Sequence, residues 1–81
     1  MKYVAYIIRS ENSGTHYYGH AENMAARLER HNSGKVRSTR AKRPWKLHYY
    51  EMFETKSEAY RRELFFKSIE GYRYLKNKKI I

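Results

Sequence analysis

The sequence contains no cysteine, and all eight of its acidic residues are glutamate. The absence of cysteine excludes disulfides, cysteine nucleophiles and zinc sites built on thiolates, and it is consistent with a reducing cytoplasm. The absence of aspartate leaves few carboxylates that can converge, so a site that encloses two metal ions is not expected. Any metal site in this chain should therefore be sparse.

Long apolar segments are also missing. No apolar run approaches the ~20 residues that a helix needs to span a bilayer, and the first residues do not resemble a signal peptide. A chain of 81 residues is expected to form one domain, here residues 1–81. The sequence therefore predicts a single small cytoplasmic domain that does not bind a membrane.

Positive charge is abundant: 18 lysines and arginines against 8 acids give a net charge of +10. Such a balance predicts a polyanionic partner, with nucleic acid the first expectation and a solvated excess of lysine the alternative. The strongest basic run, residues 35–46, contains no acid and is predicted to be a loop that binds a phosphodiester backbone. A solvated charged loop is the alternative. The cations expected to bind are Lys35, Arg37, Arg40, Lys42 and Arg43.

The first part of the chain has the pattern of a β-hairpin. Residues 3–9 are β-branched and aromatic, residues 10–14 have the composition of a turn, and residues 16–19 form the returning strand. Opposed residues of an antiparallel pair share a face, so one register would place Tyr6 and Tyr17 side by side. The pairs in that register would be Tyr6–Tyr17, Val4–Gly19 and Ile8–Thr15. Two core tyrosines without a catalytic role are the alternative.

A helix is predicted over residues 21–33, with Gly34 as its stop signal. Its buried stripe would consist of Ala21, Met24, Ala25 and Leu28. Arg27 and His31 are four residues apart and therefore share one flank of this helix. An arginine on a helix is usually solvated, but beside two strand tyrosines and a glycine Arg27 becomes a candidate phosphate ligand.

The second half predicts a strand and another helix. Residues 45–53 alternate, with Trp45, Leu47, Tyr49 and Phe53 on one face, and His48 on the other without an obvious partner. Thr55 and Glu58 form a capping box that begins a helix, which continues to about Glu70 and ends at Gly71. The core face of this helix would hold Ala59, Tyr60, Leu64 and either Phe66 or Ile69.

Glu63 lies on the margin of that apolar face. Arg62 and Lys67 are placed to neutralise it, which is the structural alternative to a functional role. Residues 72–81 form a basic tail, partly helical at best. The order is strand, strand, helix, strand, helix, tail, which predicts an α+β fold with a small three-stranded antiparallel sheet flanked by helices.

Taken in order, these segments resemble the GIY-YIG nuclease family. Val4-Ala5-Tyr6 and Tyr17-Tyr18-Gly19 stand where the family has its two tripeptides, and the similarity continues through Arg27 and over nearly the whole chain. The matching later segments are residues 29–35, 43–47 and 57–63. The chain most resembles short single-domain bacterial members related to the N-terminal nuclease domain of the excision-repair endonuclease.

The resemblance implies a metal-dependent endonuclease that acts on DNA, with structured or damaged DNA in repair or recombination as candidate substrates. Tyr6 would activate or orient the attacking water, and Tyr17 would bond the scissile phosphate or the water network. Arg27 would stabilise charge on the phosphate, and His31 matches a position that is often polar and faces the site. Glu63 would hold a single divalent cation, Mg²⁺ or Mn²⁺.

Several positions depart from the family pattern. Val4 and Tyr18 replace a glycine and an isoleucine of the motifs, and His20 stands where a small hydroxyl residue is common. His20 would either cap the helix poorly or add a titratable group to the site. The late asparagine of the family has no clear counterpart except Asn77. A non-catalytic nucleic-acid-binding domain and a basic ribonucleoprotein component therefore stay open, as does a protein partner that supplies specificity.

Overall fold

The fold, described here for residues 2–81 of a computed structural model, is a three-stranded antiparallel sheet with three helices. Met1, which the predicted domain includes, lies outside the described residues. The elements in chain order are β1 Tyr3–Ser10, β2 His16–Ala21, α1 Met24–Asn32, a 3₁₀ turn Arg40–Lys42, β3 Trp45–Phe53, α2 Lys56–Phe66 and α3 Ile69–Asn77. The strand order is β2-β1-β3. The predicted α+β class and the three-stranded sheet are confirmed.

Strand β1 lies at the centre of the sheet and is buried on both faces. Val4, Tyr6 and Ile8 face a core cluster that α1 helps to cover. The alternate residues Ala5 and Ile7 face a second cluster, which is covered by α2 and α3. This burial on both faces explains why β1 is a nearly continuous apolar run.

The hairpin of β1 and β2 has a register two residues away from the predicted one. Tyr6 opposes Gly19 and not Tyr17, which lies opposite Ile8. The strand runs on to Ser10, whose backbone N–H donates to the carbonyl oxygen of Thr15 over 2.8 Å. The reversal therefore lies one residue later than composition suggested. A shift of two residues preserves the face, so Tyr6 and Tyr17 still belong to the same cluster.

Strand β3 spans its predicted range but contains a bulge. Ile7 pairs with Tyr49 and Ile8 pairs with Leu47, so His48 is the extra residue. A bulge inverts the alternation of side chains. Leu47 therefore packs on the cluster beside α1, whereas Tyr49 packs on the cluster beside α2 and α3. The single apolar face predicted for this strand is wrong for that reason.

Helix α1 begins three residues later than predicted. Asn23 is its N-cap and accepts a hydrogen bond from the backbone N–H of Ala26 over 3.0 Å. Ala21 is buried, but as the last residue of β2, opposite Val4. In the remainder of the predicted stripe, Met24 and Leu28 are half-buried and Ala25 is exposed.

The capping box of Thr55 and Glu58 is present at the start of α2. The helix nevertheless ends at Phe66, and Ser68 caps a further helix, α3, where the sequence predicted the end of the same helix followed by a basic tail, partly helical at best. Gly71 was predicted to end a helix but lies inside α3, where an added Cβ would be 1.7 Å from the carbonyl oxygen of Phe65. Its missing side chain allows the two helices to pack closely.

The core face of α2 is narrower than predicted. Ala59 and Phe66 are buried as expected, but Tyr60, Leu64 and Ile69 are exposed. The break between Phe66 and Ile69 places Ile69 in a separate helix, whereas Tyr60 and Leu64 lie on the face of α2 that points away from the core. No helix within residues 2–81 has the length and apolar character required to cross a membrane.

Candidate active site

A polar cavity of about 530 Å³ opens where β1 and β2 meet α1 and α2. Four residues that are far apart in the sequence line it: Tyr6, Tyr17, Arg27 and Glu63. The remaining lining residues are Tyr3, Gly19, His20, Ala21, Glu22 and Lys56. The structure therefore brings together two phenols, a guanidinium and a carboxylate, as the site prediction requires.

Tyr6 projects from the central strand, and its ring is buried. The hydroxyl lies 2.9 Å from His31 Nε2. Burial raises the pKa of Tyr6 to about 12, although the neighbouring Arg27 acts in the opposite direction. Tyr6 is therefore a neutral phenol near neutral pH.

His31 lies behind Tyr6, in the last turn of α1, and is 1% exposed. Its Nδ1 atom lies 2.8 Å from Thr39 Oγ1, and its ring meets the ring of Tyr17 edge to face at 5.1 Å between centroids. Burial lowers the pKa of His31, and the charges of Arg27 and Arg30 lower it further. We conclude that His31 is a neutral imidazole that contacts the Tyr6 hydroxyl through Nε2 and the Tyr17 ring edge to face.

Glu63 enters the cavity from α2 and is 8% exposed. Its Oε1 lies 2.6 Å from His20 Nδ1, and its Oε2 accepts from Lys67 Nζ over 2.6 Å. This contact raises the pKa of the Lys67 ammonium. Of the two predicted neutralising partners only Lys67 contacts Glu63, because Arg62 donates to Glu51 over 2.7 Å.

His20 belongs to the site. His20 does not cap helix α1, because the N-cap of that helix is Asn23. Its ring packs against Tyr60 at 5.2 Å between centroids, and its Nδ1 atom contacts Glu63. Of the two roles considered for this residue, the structure supports an additional polar group at the site. Its place directly after Gly19 was the available sequence signal.

The side chains that line the cavity suit only a metal site in which water and substrate complete the coordination. Within residues 2–81 no group of three or more histidine, cysteine or acidic side chains is placed to hold a metal ion. Residues 2–81 therefore do not provide a metal site in which every ligand is a protein side chain. Mg²⁺ and Mn²⁺ fit better, because Mg²⁺ commonly keeps several waters and uses one or two carboxylates together with substrate phosphate. Glu63 is the carboxylate that such a cation would use.

Residues 35–46, named the basic segment here, include the buried residue Thr39. The carbonyl oxygen of Thr39 accepts from the indole N–H of Trp45 over 2.7 Å, and Ser10 Oγ donates to the carbonyl oxygen of Lys42 over 2.7 Å. These bonds fix the backbone of the segment against the sheet. Its five cations are exposed: Lys35, Arg37, Arg40, Lys42 and Arg43. A fixed backbone with exposed cations is suited to a phosphodiester chain.

Sequence reasoning missed Thr39 as a partner of the site. It treated residues 35–46 as a surface loop, although Thr39 is fully buried. A hydroxyl between flanking arginines carries no periodic signal, because its burial depends on how the loop folds back onto His31 of α1 and Trp45 of β3.

Comparison with known families decides the identity of this fold. The family described as the GIY-YIG catalytic domain matches residues 2–76. The chain belongs to the GIY-YIG family. The resemblance drawn from the sequence is therefore confirmed, and with it a nuclease-type domain for which nucleic acid is the implied partner.

Curated relatives of this GIY-YIG chain have similar length. The UPF0213 protein of Bacillus licheniformis is 40% identical over 78 residues, which cover 91% of this chain and 80% of that protein. The UPF0213 protein of Staphylococcus saprophyticus is 38% identical over 76 residues, which cover 93% and 92%. The solution NMR structure of the UPF0213 protein of Bacillus halodurans is 30% identical, has a TM-score of 0.56, and covers 98% of this chain and 86% of that chain.

Proposed function

We propose that this protein is a divalent-metal-dependent endonuclease that hydrolyses phosphodiester bonds in DNA. The observation that carries the proposal is the convergence of Tyr6, Tyr17, Arg27 and Glu63 on one polar cavity. A group that stabilises negative charge, a carboxylate for a metal ion and hydroxyls that orient water are what hydrolysis of a phosphodiester requires.

The side chains divide these tasks by their chemistry. Arg27 carries a fixed positive charge at the cavity wall and binds the scissile phosphate as charge develops on its oxygens. Tyr17 hydrogen-bonds a phosphate oxygen from the neighbouring strand. Tyr6 stays protonated near neutral pH, so its role is to orient the attacking water and not to act as a preformed phenolate.

Glu63 would hold the single Mg²⁺ or Mn²⁺ ion. When bound, this ion supplies positive charge next to the phosphate and lowers the pKa of its coordinated water. The contacts from His20 and Lys67 keep the Glu63 carboxylate in the cavity and fix its orientation. The exposed cations of residues 35–43 bind the phosphate backbone away from the cut, with little room for base readout, so DNA shape or a protein partner selects the target.

The test is a cleavage assay on supercoiled, branched and single-stranded DNA with Mg²⁺ or Mn²⁺. Glu63→Gln and Arg27→Gln should each lower the rate by about 100-fold or more, the scale expected for lost electrostatic stabilisation. Glu70→Gln and Arg30→Gln are matched controls, because both residues are exposed and lie outside the cavity lining. Cutting that is equally fast in all four variants would refute the proposal.

One observation favours a second candidate, a non-catalytic nucleic-acid-binding domain. Each oxygen of Glu63 already contacts a partner, His20 or Lys67, so the carboxylate is partly neutralised before any metal ion arrives. This candidate predicts DNA binding that depends steeply on salt, survives Glu63→Gln and is never followed by metal-dependent cutting. The same assay, combined with a binding measurement, separates the two functions.

A further inference from the structure

A chain of buried polar contacts runs from the cavity into the basic segment. The Tyr6 hydroxyl lies 2.9 Å from His31 Nε2, and His31 Nδ1 lies 2.8 Å from Thr39 Oγ1. Thr39 Oγ1 in turn donates to the carbonyl oxygen of Val36 at 3.4 Å. Tyr6, His31 and Thr39 are each at most 1% exposed, so water cannot easily replace any of these contacts.

The direction of these hydrogen bonds depends on one proton. His31 is neutral, because burial and two nearby arginines disfavour its charged form. A neutral imidazole carries its hydrogen on one nitrogen and a lone pair on the other. If Nδ1 carries it, His31 donates to Thr39 and accepts from Tyr6. If Nε2 carries it, His31 donates to Tyr6 and accepts from Thr39.

In the first arrangement, each hydrogen shared by Tyr6, His31 and Thr39 has an acceptor inside the protein. Tyr6 donates to His31, His31 donates to Thr39, and Thr39 donates to Val36. In the second arrangement the Tyr6 hydrogen has to point into the cavity. The first arrangement is favoured because it makes three hydrogen bonds within the protein and the second makes only two, and one such bond contributes about 1 kcal/mol.

We propose that Thr39 fixes His31 in the Nδ1–H tautomer, so that Tyr6 donates its hydrogen to His31 and presents only lone pairs to the cavity. Thr39 is then a positioning residue that acts on the reaction through His31 and Tyr6. The inference rests on the proposed hydrolysis for its catalytic meaning, but the tautomer itself is independent of it.

The consequence concerns the attacking water. A Tyr6 oxygen that donates its hydrogen to His31 can accept a hydrogen from that water, which leaves a lone pair of the water directed away from Tyr6, towards the phosphate. A Tyr6 hydrogen that points into the cavity would instead donate to the water, which engages one of the two lone pairs of the water and makes it a weaker nucleophile. Thr39 also lies within the basic segment, so the residues that bind the phosphate backbone are connected to the orientation of Tyr6.

Long-range ¹H–¹⁵N correlation NMR on histidine-labelled protein reads the tautomer directly. In the wild-type protein we expect a protonated Nδ1 and an unprotonated Nε2 for His31. A wild-type His31 with its hydrogen on Nε2 overturns the inference, whatever the cleavage assay shows. The correct tautomer in a protein that does not cut DNA refutes the proposed hydrolysis and leaves the hydrogen-bond assignment in place.

Variants separate this role from simple packing. Thr39→Val keeps the shape of the side chain but removes the acceptor, so the Nε2–H tautomer should appear and cleavage should fall about tenfold, the scale of one lost hydrogen bond. Thr39→Ser restores an oxygen and should retain both the wild-type tautomer and the wild-type rate. Ser38→Val, at the exposed neighbouring position, should change neither.

If Thr39→Val does not fold, the comparison of the wild-type protein with Thr39→Ser remains decisive. Thr39→Ser with the wild-type tautomer and rate supports the inference, and a folded Thr39→Ser in which the hydrogen moves to Nε2 contradicts it. A folded Thr39→Val that keeps Nδ1–H and full activity also contradicts it, because the tautomer would then not depend on the hydroxyl.

Discussion

Gly19 faces Tyr6 across β2 and β1 at a distance that leaves no room for a side chain. A Cβ at position 19 would lie 2.4 Å from the Tyr6 hydroxyl oxygen and 2.5 Å from the ring carbon that bears it. The tyrosine therefore passes directly over the glycine to reach His31. The last residue of the second tripeptide is a glycine because the phenol of the first occupies the space of its side chain.

Gly19→Ala should accordingly displace the Tyr6 hydroxyl and break its contact with His31. We expect a loss of stability of about 2 kcal/mol, within the range for overpacking, and a fall in cleavage rate of about tenfold or more. Chemical denaturation and the DNA cleavage assay measure the two effects. The His31 NMR signals should shift in the same variant.

Gly14→Ala is the matched control, because it also destabilises but lies far from the cavity. Gly14 has φ +76°, a conformation that costs a side-chain-bearing residue about 1 kcal/mol. This variant should lose stability and retain its cleavage rate. Equal losses of activity in the two variants would show that the Gly19 effect is only a loss of stability.

Only part of the cavity lining, Tyr6, Tyr17, Arg27 and Glu63, was among the residues predicted from the sequence, and the contacts among the residues of the site were not. The face shared by Tyr6 and Tyr17 follows from the two-residue period of strands and survives an error of two residues in register. The contact between His31 and Thr39 does not follow, because it depends on how the loop after α1 folds back. Local propensity contains no information on that return.

The errors in the fold also arise from contacts between elements, which local sequence patterns do not encode. The bulge at His48 inverts one half of β3, and no glycine or proline marks it. Gly71 was interpreted as a stop because glycine often follows a helix, but here its function is close contact with the carbonyl of Phe65. The alternation of β3 and the end of α2 were therefore decided by neighbours in space.

Gly71→Ala tests whether this close packing of α2 and α3 determines stability. Intrinsic helix propensity favours alanine by about 1 kcal/mol at such a position. The clash of the new Cβ with the Phe65 carbonyl should outweigh this gain and produce a net loss of about 2 kcal/mol in denaturant unfolding. Arg73→Ala, at an exposed position of the same helix, should stay near neutral. A stabilised Gly71→Ala protein would contradict the packing of the two helices.

The basic segment should determine how steeply DNA binding depends on salt. Each phosphate contact that is lost makes the slope of log K against log salt shallower by about 0.7–0.9. The triple variant Lys35→Gln, Arg37→Gln and Arg40→Gln should therefore reduce the slope by about 2. Fluorescence anisotropy with labelled DNA over a range of salt concentrations measures the change.

A triple variant elsewhere on the surface provides the control for net charge. Arg61→Gln, Arg73→Gln and Lys78→Gln remove the same number of charges from exposed positions in α2, in α3 and at the C-cap of α3. This variant should weaken binding slightly and leave the slope nearly unchanged. If both triple variants reduce the slope to the same extent, binding is a general property of the net charge and the segment has no special role.

The contact between Lys67 and Glu63 should make metal binding weak in the absence of DNA. Lys67 Nζ lies 2.6 Å from Glu63 Oε2, so an incoming cation competes with an ammonium group for the same oxygen. The pair is partly exposed, which limits its contribution to about 1 kcal/mol or less. Lys67→Met should therefore tighten Mn²⁺ binding by about threefold, as measured by calorimetry without DNA.

Lys56→Met separates direct competition from the general effect of charge. Lys56 also lines the cavity, but its side chain is exposed and it lies at the start of α2, away from Lys67 at the other end of that helix. Removal of either lysine takes one positive charge away from the cavity, whereas only Lys67→Met frees an oxygen of Glu63. Equal gains in Mn²⁺ affinity would mean that the effect is long-range electrostatics, and no gain in either variant would mean that the cation does not bind at Glu63. A gain confined to Lys67→Met, and abolished by adding Glu63→Gln, identifies this carboxylate as the metal ligand.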